Sequence, residues 1–387
     1  LVGSEMCIRD RSMAAEQLLC TPLEGLHEKL GASFTNFAGW RMPVRYTSDL
    51  AEHRAVRTSA GLFDLSHMGE VRVAGPQAGE ALDHALAGKL SSVSVGRAKY
   101  SLLLTERGTV ADDLVTYHVA DDEYVVIPNA ANVTTDLTAI TERCSGFDVT
   151  VTDESTSTAL IALQGPASAE ILLRTLGRAD TSLAPDEVRD LRYYRVLTGT
   201  WQGAAIMVAR TGYTGEDGFE LYVPNAQAEA LWTSLQNAGG EGVVPCGLAC
   251  RDTLRLEAGM PLYGHELTTQ TFPSQAGLGR VVSFKKESDF VGRSALEARD
   301  ESGDRVLVGL AGEGRRAARA GYAVKDAAGT EVGIVTSGIL SPTLGHPIAL
   351  AYVEASQAEV GTELNADVRG KLLPMTVVDL PFYTRSR

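Results

Sequence analysis

At 387 residues the chain is long enough for two or three domains, each with its own core, and its 44% hydrophobic and 22% charged residues are ordinary for a soluble globular protein. A net charge of −14 argues against nucleic acid, whose phosphates demand a concentrated Lys/Arg surface, and no apolar run is long enough to span a bilayer. Five scattered cysteines and seven histidines without ligand spacing point to free thiols in a reducing, cytoplasmic compartment and to no metal.

Residues 1–12, "LVGSEMCIRDRS", lack the apolar core or amphipathic pattern of a targeting signal and read as a translated adapter remnant, a non-native extension ahead of Met13. Thr21 as N-cap and Pro22 at the first helical position open a helix with Leu23, Leu26 and Leu30 on one face, and Gly31 stops it. A second helix begins near Ser48 and ends before Gly61. A strand over 70–73, a Gly75-Pro76 break and another helix follow. "KYSLLLTERGTVADDLVTYHVADDEYVVIPN" reads as three strands, with tight turns at Glu106-Arg107-Gly108 and Ala120-Asp121-Asp122, and a helix comes after Asn132.

"STALIALQGPASAEILLRTLG" is a strand, a Gly-Pro turn and a helix with Pro166 at its first position. The turn lacks GxGxxG and the P-loop lysine, so it predicts packing rather than phosphate binding. Residues 192–223 form another antiparallel set, with a helix over 227–237. The chain thus twice runs strands and then a helix, which suggests two related α+β subdomains. "PCGLACRDTLRLEAGM" is a helix with Leu248, Cys250, Thr253 and Leu256 on its packing side and Arg251 and Arg255 one turn apart. Past residue 280 the texture changes. A charged stretch over 297–304 leads into six short strand-like runs with Gly and Pro between them, the pattern of a separate small β-barrel or sandwich.

Several residues could carry chemistry. Asp112 and Asp113 are adjacent on a strand and face opposite sides, and both faces continue as partly apolar, so alternation does not choose between them. In "TGYTGEDGFELYV" Glu220 enters a strand between Phe219 and Leu221. It either faces solvent or is a buried carboxylate awaiting a ligand with two parallel N–H donors, because burial without a partner costs several kcal/mol. Arg251 and Arg255 are either surface ion pairs with Asp252 and Glu257 or guanidiniums that organise that carboxylate or grip an anion. Tyr100 and Tyr213 are core aromatics or the walls of a flat-ring pocket.

Six blocks, "NFAGWRMPVRY", "EHRAVRTSAGLFDLSHMGEV", "TVADDLV", "TGYTGEDGFE", "PCGLACRDTLRLEAGMPLYGHEL" and "VTSGILSPTLGHPIALAYV", resemble in order the aminomethyltransferase family, the T-proteins of the glycine cleavage system. The resemblance runs from about residue 21 to the C-terminus. It implies an α+β fold: a cloverleaf-like folate-binding body of antiparallel sheets with helices over 13–280, made of two interleaved subdomains, and a C-terminal β-barrel over 281–387. It implies transfer of the one-carbon unit of an aminomethyl group on lipoylated H-protein to tetrahydrofolate as co-substrate, with no metal, and association with the P- and L-proteins. The family's essential carboxylate falls on Asp112, leaving Asp113 structural. Its pterin-binding glutamate falls on Glu220 and its helix arginine on Arg251, while Tyr100, Asn129 and Tyr213 line the folate cavity and Arg385 is a candidate for the folate tail. The alternatives are a folate-dependent demethylase of the same superfamily and a non-catalytic folate-binding relative. For docking of the carrier, Arg41 and Arg45 in "GWRMPVRY" are the expected basic patch.

Overall fold

The β-branched and aromatic runs form two large sheets, a two-stranded hairpin of Ser33–Phe37 and Trp40–Arg45, and a closed barrel. The structure is a computed structural model that describes residues 18–386, so the extension assigned to residues 1–12 lies outside the described residues. The first sheet has five strands in the order Arg97–Leu104, Val110–Ala120, Glu123–Ile127, Val71–Ala74 and Thr150–Asp153, all antiparallel. The second has six, in the order Val196–Trp201, Ala204–Ala209, Gly218–Pro224, Thr158–Gln164, Ala60–Asp64 and Val243–Pro245, the last pair parallel.

Each sheet buries one face under helices. Ala78–Ala85 and Val133–Cys144 cover the first sheet around Val71, Leu82, Leu114 and Ile140. Ser168–Gly177 and Ala228–Gly239 cover the second around Leu163, Leu172, Phe219 and Trp232. The other faces meet in a third core of Phe63, Tyr117, Val125, Leu160 and Tyr222, bordered by the half-buried Met68, Ala98, Val115 and Met207. Where this inter-sheet core gives way to half-buried residues, Tyr100, Asp113, Tyr213, Glu220 and Arg251 gather, and the cavity is the space that they line.

The Gly-Pro turn does pack. Gly165 has φ +131°, and a Cβ there would meet the Ser59 carbonyl oxygen at 2.4 Å. The helix expected to begin at Thr21 spans Glu24–Lys29 instead. Thr21 is buried and its hydroxyl is committed to Asp64 Oδ2 at 2.6 Å, a tertiary partner that a local capping rule does not see.

The barrel closes in the order Arg305–Gly312, Pro347–Glu354, Glu331–Leu340, Ala323–Lys325, Glu363–Val368 and Lys371–Val378. It docks on the helix Leu248–Glu257, where Leu256 packs against Ile339, Ile348 and Leu350. Arg255 does pair with Asp252, at 2.7 Å, but the Arg255 guanidinium and Glu257 are fully buried rather than on the surface. Arg255 binds Glu266 at 2.9 Å and Ser337 Oγ at 2.9 Å. Glu257 accepts from Ser341 Oγ (2.5 Å), Thr343 N (3.0 Å) and Arg57 Nη2 (2.8 Å), and lies 3.1 Å from His53 Nε2. Buried charges demand partners, and the barrel (Ser337, Ser341, Thr343) supplies them together with His53, Arg57 and Glu266 of the body.

Candidate active site

Strand alternation and the identity of each neighbouring core decide which side chains enter the cavity. On Gly218–Pro224, Phe219, Leu221 and Val223 point into the helix-covered core, so Glu220 and Tyr222 point to the inter-sheet side. Glu220 is half-buried, and its Oε2 accepts from the Thr211 hydroxyl and, at 3.4 Å, from the Tyr117 hydroxyl. Oε1 receives no hydrogen bond from the described residues. Glu220 is therefore not the solvent-facing strand residue.

The same rule separates the two aspartates. Leu114 lies in the helix-covered core, whereas Val115 and Tyr117 lie on the inter-sheet side. Asp112 follows Leu114 and is 0% exposed. It accepts from Asn129 N at 2.9 Å, Asn129 Nδ2 at 2.8 Å and Asn132 Nδ2 at 2.8 Å. Asp113 follows Val115 and Tyr117 and faces the cavity half-buried, with its Oδ2 accepting from the Tyr100 hydroxyl at 2.9 Å. Burial, and then the Asp112 charge beside it, push the Asp113 carboxyl up to about 7. The two are nonetheless linked. Asn129 stands just past the end of the Glu123–Ile127 strand, and its Nδ2 also reaches Asp113 Oδ1 at 3.0 Å, spanning both faces.

Arg251 is half-buried over the Tyr213 ring, 4.8 Å from its centroid, and its guanidinium makes no hydrogen bond or ion pair with the described residues. Burial lowers its pKa, with Glu220 nearby opposing that. The Tyr213 hydroxyl is fixed by the Pro261 carbonyl at 2.6 Å. Sequence reasoning missed three further residues. His67 is buried with an unpartnered Nδ1, and burial followed by the Arg251 charge pulls it down to about 4, so it is neutral. Tyr117 holds Glu220. Tyr194, at φ +62°, is pinned at the mouth by its carbonyl, which accepts from Ala98 N at 2.9 Å. That positive φ on a bulky residue is a conformational signal absent from the sequence. A pocket of about 280 Å³ adjoins there, lined by Ser92, Arg97, Lys99, Tyr193 and Tyr194 among others. Arg385 is exposed and lies 3.7 Å from Asp217.

Half-buried Asp113, Glu220 and Arg251, with Tyr100 and Tyr213 beside them, bring together two carboxylates and a guanidinium that makes no ion pair with the described residues. These groups are able to accept N–H donors, take up a proton and hold an anion. Residues 23–286 match the family model described as the GCVT N-terminal domain, and 305–384 match the glycine cleavage T-protein C-terminal barrel domain. The chain is 68% identical over 366 residues to an aminomethyltransferase of Cutibacterium acnes, a match that covers 95% of this chain and 98% of that protein. It is 54% identical over 373 residues to an aminomethyltransferase of Streptomyces avermitilis, with 95% and 98% covered. The crystal structure of glycine cleavage system aminomethyltransferase T from Bartonella henselae superposes with a TM-score of 0.87 at 37% identity, covering 95% of this chain and 99% of that one. The chain belongs to the aminomethyltransferase family, the T-proteins of glycine cleavage.

Proposed function

We propose that the cavity binds tetrahydrofolate as co-substrate and that the aminomethyl group arrives on the lipoyl arm of H-protein. The products are then 5,10-methylenetetrahydrofolate, ammonia and dihydrolipoyl H-protein, in a cytoplasmic cycle shared with the P- and L-proteins. The observation that carries this reading is Arg251, a half-buried guanidinium with no acceptor among the described residues, set beside a carboxylate whose Oε1 receives no hydrogen bond from them. Both are groups left unpaired for a ligand.

Glu220 accepts from the adjacent N–H donors of the pterin 2-amino-4-oxopyrimidine edge, while Tyr117 and Thr211 hold its second oxygen. Tyr100, Tyr213 and Tyr194 wall the ring. The essential carboxylate, which the family resemblance puts on Asp112, we assign to Asp113, because Asp113 faces the cavity and Asp112 faces the helices. An Asp113 carboxylate poised near neutrality orients the attacking folate amine, accepts its proton and steadies positive charge on the departing aminomethyl carbon. Asn129 positions that carboxylate. Arg385 pairs with Asp217 and has no assigned contact with the folate tail.

A methylene-transfer assay with and without lipoylated H-protein tests the reading. Methylenetetrahydrofolate and ammonia should form in equal amounts, and only when the aminomethylated carrier is present. Product from a free methylated amine without the carrier would make the protein a demethylase. Folate binding without turnover would make it a non-catalytic relative.

A further inference from the structure

Behind the cavity lies a buried carboxyl that the chemistry above does not use. Asp136, one turn into the helix Val133–Cys144, is 0% exposed, and neither of its oxygens receives an N–H or O–H from the described residues. Arg143, the cation nearest to it on the helix, spends its guanidinium on the carbonyls of Ala85 (2.9 Å) and Leu104 (2.7 Å). A carboxylate buried with no donor is costly, so the group must carry its own proton and needs an acceptor for it. Asp112 is the group whose hydrogen bond and charge, after burial, hold the Asp136 carboxyl up, which sets the two side chains against each other. An ionised carboxylate offers about four lone-pair sites. Oδ1 of Asp112 takes two amide N–H groups and Oδ2 takes one, which leaves one site on Oδ2 for the Asp136 proton.

We propose that Asp136 is a positioning residue: a neutral acid that donates to Asp112, so that Asp112 can fix the Asn129 amide against Asp113. The chain of contacts runs from Asp136 O–H to Asp112, from Asp112 to Asn129 Nδ2, and from Asn129 Nδ2 to Asp113 Oδ1 at 3.0 Å. Burial, followed by the hydrogen bond and charge of Asp112, pushes the Asp136 carboxyl up to about 10, in keeping with a proton retained through the working range. The charged and titratable groups around Asp136 are Asp112, Asp113, Tyr263 and Arg143. Those around Asp113 are Asp112, Tyr100, Tyr194, Tyr213 and Tyr263. The inference rests on the assignment of Asp113 as the working carboxylate.

The test compares Asp136→Asn, which keeps an N–H donor to Asp112 and can never ionise, with Asp136→Leu, which removes the donor. The readouts are kcat against pH in the methylene-transfer assay and tetrahydrofolate affinity by calorimetry. The Leu variant should bind tetrahydrofolate like wild type yet lose kcat about 10- to 100-fold, as when a charged group loses one hydrogen bond. The Asn variant should recover most of that loss with its acidic limb unmoved. An acidic limb shifted downward in Asp136→Asn would mean that Asp136 is ionised in the wild type, and that overturns the proposal. So would full activity in Asp136→Leu. If the Leu variant does not fold, the pH profile of the Asn variant alone decides. Wild-type turnover in Asp113→Asn would instead remove the underlying assignment, a failure distinct from either result at Asp136.

Discussion

The Tyr100 hydroxyl donates to Asp113 Oδ2 across 2.9 Å, from the strand paired edge to edge with the one that carries the aspartate. A donor favours the ionised carboxylate, so this bond restrains a pKa that burial and Asp112 raise to about 7. Removing it in Tyr100→Phe should move the acidic limb of kcat to higher pH and lower turnover at neutral pH, with little loss at alkaline pH. A profile that superposes on wild type would separate Tyr100 from the reacting carboxylate.

Asp113→Asn should abolish the proton acceptor while keeping the shape, which costs about 10²–10⁴-fold in turnover. The same change should stabilise the fold at high pH. The folded carboxyl titrates near 7 against 3.8 in its unperturbed state, so the native state favours the proton. That contribution is fully present below pH 3.8 and is lost as pH rises through 7. The melting temperature of the variant should therefore exceed wild type most above pH 7 and match it near pH 4, as scanning calorimetry across that range would read. Loss of stability at pH 8 together with full activity would return the essential role to Asp112.

Glu220→Gln replaces one acceptor oxygen by a donor at the pterin N–H edge. A mismatched buried polar pair costs about 1–3 kcal/mol, so tetrahydrofolate should bind at least several-fold more weakly by calorimetry. Unchanged affinity would mean that the ligand approaches from another wall.

The strands over 97–127 and the six C-terminal runs, read as a barrel or sandwich, were legible because alternation and Gly/Pro punctuation are local. The hairpin Ser33–Phe37 with Trp40–Arg45 and the strands Ala60–Asp64, Thr150–Asp153 and Val243–Pro245 were not expected. The choice between Asp112 and Asp113 was not legible either. It depends on which core each face of Val110–Ala120 meets, and only packing of the helix Val133–Cys144 against one side settles that. Sequence left Arg255 open between a surface ion pair and a held guanidinium, because most partners of Arg255 and Glu257, among them Ser337, Ser341 and Thr343, are remote in sequence. The fold does bring Arg251, Glu220 and Tyr213 close to one another. Tyr194 and His67 carried no signal without their neighbours.

Glu257 ties the barrel to the body. Burial alone would raise its pKa, but His53, Ser341 and Arg57 bring it down to about 2 from 4.5. A depressed carboxyl contributes stability that is present above pH 4.5 and is lost as pH falls toward 2. Glu257→Gln should lower stability at neutral pH by less than the roughly 3–5 kcal/mol of a fully broken buried pair, because Arg57 loses one of two carboxylates and keeps Glu216 at 3.2 Å. The gap in stability between variant and wild type should narrow as acid is added. A gap that is constant from pH 7 to 3 would show that Glu257 acts through shape and not through charge.

Carrier docking needs a free positive surface near the cavity, and Arg41 and Arg45 do not provide it. Arg41 is held by Glu24 at 2.5 Å and Glu28 at 2.9 Å and stacks on Phe34, and Arg45 binds Asp49 at 2.7 Å. Their charges are cancelled within the chain. Arg97 is exposed and has no carboxylate partner among the described residues, and with Lys99 it borders the pocket that shares Ala98 and Tyr194 with the mouth of the cavity. In a protein of net charge −14, an acidic carrier would be steered by such a local patch and not by the overall field. Arg97→Glu should therefore raise KM for lipoylated H-protein at low ionic strength, with the difference shrinking as salt screens it, while tetrahydrofolate affinity stays unchanged. Charge reversal at Arg41 and Arg45 should leave that KM near wild type and lower stability slightly. Loss of tetrahydrofolate affinity in Arg97→Glu would place the residue on the folate tail. An unchanged KM at low salt would move the docking surface to another face of the molecule.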